Sequence, residues 1–204
     1  MTEIRNKTDQ RREDLRQRLI DIAEERITAQ GLSSIKARDL AREAGCAVGA
    51  IYNVFPDLNG LIMAVNGRTF RKLGKHVSAS VAGQDLNPQN RLIVMSHAYL
   101  AFAAQNSNLW RALFDLEMST DMEVPQWYRA ELRELLGLIS APIAQIFPDW
   151  PAEQVEMMTR TLFSSVHGIA LLGLEKRISG VPLDRIEAMT ALLLRNVTSQ
   201  PQNS

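Results

Sequence analysis

Three histidines, a single cysteine and the serine pair Ser164 and Ser165 beside His167 are the first places in this chain to look for catalysis. His76, His97 and His167 are far apart in sequence. Ser164 and Ser165 are adjacent in sequence, which on a helix puts them on different faces, so they are not read as a catalytic pair. No His-Glu-x-x-His, no Cys-x-x-Cys and no glycine-rich loop after a strand is present. The expectation is therefore no enzyme, no cofactor and no metal site. Cys46 cannot form an intrachain disulfide, which suits a reducing cytoplasm. It reads as a small hydrophobe in a turn, with a redox sensor as the alternative.

The chemistry that residue spacing does support is recognition, in the stretch Ile35 to Phe55. Ala37, Leu40, Ala41 and Ala44 recur three and four apart, which makes one helix face apolar and leaves Lys36, Arg38, Asp39, Arg42 and Glu43 in water. Gly45 ends that helix, because glycine alone enters a left-handed C-terminal conformation without steric cost. Ile51 and Phe55 seat a second short helix on the first. Ala47, Val48, Ala50, Tyr52 and Asn53 then face outward, where they can enter a DNA major groove. Two such helices cannot bury a core alone. Residues 9–30 supply a third, with Leu15, Leu19, Ile22, Ala23 and Ile27 as its stripe and Gly31 as its stop.

With these residues in view, the chain resembles the TetR-type bacterial transcriptional regulators. The resemblance runs through Leu19, Ala23, Gly31, Leu40, Ala41, Ala44, Gly45, Gly49, Tyr52, Phe55 and Leu61 at that family's spacing. Residues 98–114 and 162–175 are similar to the regulatory half of one branch, which carries an aromatic-His-Gly signature; Val166 stands here in place of the aromatic. Family members usually have Ser or Thr at the positions of Lys36 and Ala47, a basic or polar residue at Val48 and Lys at Leu58. A lost cap costs about 0.5–2 kcal/mol, for which Ser33 or Ser34 could partly substitute. Losing the cation at Leu58 makes the salt slope shallower by about one unit. Val48 offers a thymine methyl contact but no hydrogen bond.

The resemblance implies DNA contact by Lys36, Ala37, Arg38, Ala47, Val48, Gly49, Ala50, Tyr52 and Asn53. Tyr52 and Lys36 are expected on phosphates, and Ala47, Val48, Ala50 and Asn53 on bases or groove walls. It also implies a small molecule bound among the helices of residues 90–175 that moves the helix at 58–82. The expected fold is all-α: a three-helix helix-turn-helix domain over 1–57 and a larger helical ligand-binding and dimerisation domain over 58–204, about nine helices in all. A helical dimer using its N-terminal unit for protein contact is the alternative.

Composition fits a chain with a substantial core: 46% apolar residues and only 8 prolines. Net charge is zero, which argues against non-specific coating of nucleic acid, so DNA affinity depends on where the cations sit. Residues 5–18 carry six bases against three acids and read either as a DNA-binding arm or as a frayed terminus. Arg68, Arg71, Lys72 and Lys75 read mostly as a solvated face. No signal peptide or membrane span is seen.

Beyond residue 57 the periodicity predicts helices at 58–82, 89–105, 107–117, 125–147, 152–178 and 182–198. Asp57 is placed to cap the first. Pro88, Pro125, Pro151 and Pro182 fall near helix starts, whereas Pro142 should kink or split its helix near Ser140. Residues 92–104 are apolar almost all round and should form a central helix. With it, Met95, His97, Tyr99, Phe102, Trp110, Phe114, Met118, Trp127, Phe163 and His167 could line a mostly hydrophobic cavity with a few polar handles, and core packing is the alternative for each alone. Leu162, Val166, Ile169, Gly173, Leu174, Leu183, Ile186, Met189, Leu192 and Leu193 read as the interface of a homodimer, with packing inside their own domain as the alternative. A two-fold dimer predicts a palindromic site with half-sites about 34 Å apart or slightly more.

Overall fold

A computed structural model of the chain describes residues 2–116, 124–174 and 181–199. Among these residues there are nine α-helices, one short 3-10 turn and no strand, as the all-α reading requires. None of the helices is long and apolar enough to cross a membrane. The chain divides into two compact units.

The first unit takes Met1–Thr69 and Asn106–Tyr128. It contains α1 (Thr2–Gln30), the 3-10 turn Leu32–Ser34, α2 (Ala37–Ala44), α3 (Val48–Tyr52), the first half of α4 (Leu58–Val81) and α6 (Ser107–Ala112). α1 begins before the predicted residue 9, because no glycine or proline interrupts the chain ahead of Gly31. The basic stretch 5–18 is therefore part of a helix and not an extended arm. The core joins Leu19, Ala23 and Ile27 of α1, Leu40, Ala41 and Ala44 of α2, and Ile51 and Phe55, with Leu61 and Val65 of α4 and Leu109 and Ala112 of α6. Packing thus divides the chain within α4 and brings α6 to the first unit, whereas the functional division expected from sequence lies at the start of α4. Asp57 Oδ1 accepts the Gly60 N–H at 2.7 Å, the expected cap.

The second unit takes Phe70–Gln105 and Arg129–Ser204. It holds the rest of α4, α5 (Pro88–Gln105), most of α7 (Gln126–Ile146), α8 (Ala152–Leu174) and α9 (Leu183–Val197). α5 is the central helix that its composition predicted: residues from Leu92 to Ala103 on most of its faces are buried. Pro88 opens α5, and Pro125, Pro151 and Pro182 immediately precede α7, α8 and α9, positions where the missing N–H would be unpaired in any case. Pro142 does not split its helix. α7 runs through it unbroken, losing one backbone donor while Ile143 beside it is fully buried; tertiary packing outweighs the local loss.

Candidate nucleic-acid interface and candidate effector cavity

The turn between α2 and α3 is built as its sequence dictates. Gly45 sits at φ 66° and ψ 38°, in the left-handed region. Its N–H meets Arg42 O at 3.3 Å, and the Cys46 N–H reaches back to Ala41 O at 2.9 Å, so two carbonyls at the end of α2 are satisfied in a Schellman arrangement. Cys46 packs half-buried against the core. Lys36 and Ala47 occupy the two N-cap positions in extended conformation, and neither side chain caps its helix. Ser34 does not substitute: its hydroxyl donates to Gly31 O at 2.7 Å within the 3-10 turn.

α3 buries Ile51 alone. Ala47, Val48, Gly49, Tyr52 and Asn53 are exposed, Val48 by 38% and Tyr52 by 49%, while Ala50 is half-buried. On α2 and its cap, Lys36 and Arg38 are exposed and Ala37 is half-buried against the core. Leu58, where the resembling family usually has lysine, packs against the same core.

Several cations that could have served DNA hold the unit together. Arg26 pairs with Glu43, lies 3.6 Å from Asp39 and donates to Ser34 O at 3.2 Å. Arg18 donates to Ala44 O at 3.1 Å, completing the C-terminus of α2. Arg16 lies over the Phe55 ring at 5.2 Å. Arg68 is no solvated cation either: it pairs with Asp21 at 2.6 Å and Glu24 at 3.0 Å. A residue that the sequence reading passed over, Asn66, is fully buried; its amide donates to Ala112 O at 2.8 Å, tying α4 to α6. Nearby, burial pushes the Tyr128 phenol up, offset in part by its contact with Asn66.

In the second unit Val77, Leu92, Met95, Ser96, Tyr99, Leu135, Leu138, Ile139, Leu162, Phe163, Val166 and Leu194 line an apolar cavity. About 60 Å³ of it is open to the centre of a water-sized sphere. Cavities that accept benzene measure about 150 Å³, so an aromatic guest requires the walls to yield. Polarity is concentrated in two places. The Tyr99 hydroxyl lies 2.8 Å from His167 Nδ1, and Ser96 Oγ donates to Ile93 O at 2.7 Å. Burial lowers the His167 pKa from its usual 6.5, favouring the neutral ring, whose tautomer sets whether Nδ1 accepts the Tyr99 proton or donates to the Tyr99 oxygen. Tyr99 and Ser96 are the polar residues that line the cavity. Phe163 stacks on His167 and meets Tyr99 edge-on.

Of the residues expected to bind a ligand, the structure brings Met95, Tyr99 and Phe163 to this cavity and places His167 directly behind Tyr99. His97 turns instead to α9, donating to Glu187 O at 3.2 Å. Phe102 packs near His76 at 5.8 Å. Trp110, Phe114 and Trp127 belong to the first unit, where Trp110 is core and packs edge-on to Phe114, and Trp127 packs against Tyr128. Met118 lies outside the described residues. The aliphatic walls from α4, α7 and α9 (Val77, Leu135, Leu138, Ile139 and Leu194) were missed, because nothing in their sequence distinguishes a cavity wall from core.

The expected dimer stripe also divides. Leu162, Val166 and Ile186 are buried within their own chain, a correction with a simple cause: the i, i+4 stripe Leu162, Val166, Ala170 is the inward face of α8. Gly173 permits close contact with α9, since a Cβ there would lie 2.7 Å from Ile186 Cγ1. Ile169, Leu174 and Leu193 are half-buried. The large exposed hydrophobic residues on α8 and α9 are Met157, Leu171, Leu172, Leu183, Met189 and Leu192, of which Leu183, Met189 and Leu192 on α9 fit the expected stripe.

Comparison with known proteins agrees with this architecture. Residues 92–197 match the family described as the tetracyclin repressor-like, C-terminal domain. An uncharacterized HTH-type transcriptional regulator of Mycobacterium tuberculosis H37Rv, Rv1255c, is 29% identical over 92 residues, and its counterpart MT1294 in strain CDC 1551 gives the same figure. The match covers 45% of this chain and 45% of each relative, so it spans about half their length. Among solved structures, a protein of unknown function from Rhodococcus sp. RHA1 superposes with a TM-score of 0.72 at 22% identity, covering 91% of this chain and 96% of that one. RolR in complex with resorcinol gives 0.66 at 18% identity, covering 96% and 98%. A TetR-family regulator from Streptomyces coelicolor gives 0.63 at 19%, covering 89% and 81%. These structural likenesses establish the fold.

Proposed function

The chain belongs to the tetracycline-repressor-like (TetR) family of transcriptional regulators, and from that premise we propose that it is a homodimeric repressor released from a palindromic operator by a small, mostly apolar effector. The observation that carries the reading is α3, which buries Ile51 and presents the rest of its short length to solvent beside a glycine-closed turn. In this reading residues 1–57 recognise DNA and 58–204 bind effector and partner. Lys36 and Tyr52 hold phosphates, and Arg38 joins them; Ala37, Ala47, Val48, Gly49, Ala50 and Asn53 meet bases or groove walls.

The effector occupies the cavity, its apolar part against Leu92, Leu162 and Leu194 and its one polar group on Tyr99. That RolR is solved with resorcinol supports trying small phenols first. Because the empty space is smaller than an aromatic ring needs, occupancy displaces walls, Val77 on α4 among them. α4 continues into the first core through Leu61 and Val65, a covalent route from effector to DNA-binding unit. Complete release, from 99:1 to 1:99, requires about 5.5 kcal/mol of preference for the non-binding state. The dimer forms through the exposed residues Leu171, Leu172, Met189 and Leu192 with the half-buried Ile169, Leu174 and Leu193; Gly168, with open space over its Cα, admits close approach of a partner helix.

The second reading, protein contact by the N-terminal unit, is favoured by one observation: α3 exposes Val48 and Tyr52 and carries no basic residue. Fluorescence anisotropy against the DNA upstream of the chain's own gene, at two salt concentrations and with unrelated DNA as competitor, decides between them. Competitor-resistant binding that weakens steeply with salt supports the regulator. Binding that is absent, or indifferent to both sequence and salt, favours protein contact.

A further inference from the structure

Most walls of the cavity are buried side chains, and Leu138, Ile139 and Phe163 are half-buried. Two open grooves run along α7 in the second unit. One lies between α4 and α7, around Arg71, Gly74, Lys75 and Glu131. The other lies between α7 and α8, around Arg133, Ser140, Val155 and Arg160. Leu135 and Leu138 line both the cavity and the α4–α7 groove, whereas the α7–α8 groove has no wall residue in common with the cavity. One layer of leucine side chains therefore separates solvent from the cavity on the α4 side.

We propose that the α4–α7 groove is the mouth through which the effector enters, with Leu135 and Leu138 as its gate and the Arg71–Glu131 ion pair as a latch across it. The proposal rests on the cavity being the effector site and adds the route and a filter. Arg71 and Glu131 join the two helices at the groove. Leucine side chains change rotamer without moving backbone, so the gate opens by side-chain motion once the latch parts. The rim also selects. Arg71 and Lys75 on α4 face Glu131 and Glu134 on α7, two charges of each sign, so the mouth sets up little net field for an ion. Beyond the gate, Tyr99 with His167 and Ser96 are the polar groups at hand, too few to replace the hydration of a charge. The solute class this admits is small, uncharged and largely apolar, with one hydroxyl.

Gly74 makes the route testable, because it lines the groove and not the cavity. A Cβ there would sit 4.0 Å from Leu135 Cδ1, in ordinary contact. The probe is 4-fluorophenol, with its binding and release rates on the full chain read by fluorine exchange NMR. Gly74→Phe, which plugs the mouth, is expected to slow association and dissociation together by about tenfold while Kd stays within about threefold. Glu131→Gln, which releases the latch, is expected to accelerate both. Ser140→Phe in the α7–α8 groove is expected to leave both rates unchanged. Slowing by Ser140→Phe with no effect of Gly74→Phe overturns the route, as does indifference to both. Should Gly74→Phe fold poorly, Ser78→Leu, also on the groove and not on the cavity, provides the same readout. Absence of saturable 4-fluorophenol binding by the unmodified chain fails earlier, at the effector reading itself, and takes the route with it.

Discussion

In the helix-turn-helix, the residues of α2 and α3 sort by face: Leu40, Ala41, Ala44 and Ile51 go inward, while Lys36, Arg38, Val48 and Tyr52 stay outside. In the second unit, α5 and α8 are apolar on several faces at once. There the same residue types serve as core, cavity wall and exposed surface, as Leu162, Leu171 and Leu172 do on one helix. The contrast shows that an amphipathic helix announces its own orientation, and that a helix apolar all round leaves its orientation to its neighbours.

The strongest test of that contrast deletes a side chain whose role both sequence and structure assign. Ile51→Ala is expected to cost about 3 kcal/mol in urea unfolding, because Ile51 is fully buried and a cavity is left behind. A cost under about 1 kcal/mol would mean that the helix-turn-helix core is looser than its packing indicates. Next in size is Gly173→Ala in the second unit, whose added methyl meets buried Ile186; a loss of about 1–3 kcal/mol is expected, whereas Gly168→Ala, with open space around it, should not destabilise the monomer.

Smaller effects sharpen the picture at the turn. Gly45→Ala is expected to cost about 1 kcal/mol, since alanine resists the left-handed conformation found there. Ala47→Ser supplies the cap that α3 lacks and is expected to gain about 0.5–1 kcal/mol. Thermal midpoints of the two variants should therefore move in opposite directions.

The smallest effect is pH-dependent and belongs to the cavity. His167 has a folded pKa below the usual 6.5 because it is buried. The unfolded chain then binds its proton first as pH falls, so the contribution of His167 to stability is intact above 6.5 and is lost as pH drops through the folded value. The urea midpoint should fall between pH 7.5 and pH 5.5, and His167→Gln should shrink that fall; an equal fall in the variant would assign the effect to other groups.

Much of the first unit was legible in the sequence. The period of Ala37, Leu40, Ala41 and Ala44, the glycine after them and the stripe from Leu19 to Ile27 suffice to predict three helices and a turn. What stayed hidden was long-range: that α6 adds Leu109 and Ala112 to this core, and that Arg16, Arg18, Arg26 and Arg68 serve α1 and its neighbours. Charge patterning cannot show whether an arginine meets a carboxylate many residues away. In the second unit the helices were legible, and Pro142 shows the limit of local rules, since a helix supported by packing tolerates what an isolated one would not.

The sequence by itself determined the helices, the turn at Gly45 and the exposed face of α3, because periodicity of 3.6 and the steric freedom of glycine are local properties. Only the tertiary structure decided that Trp110, Phe114 and Trp127 leave the cavity to Leu135, Leu138 and Leu194, and that Leu162, Val166 and Ile186 face inward. Burial of apolar area is non-directional, so it specifies that these side chains leave water without specifying which neighbour they meet.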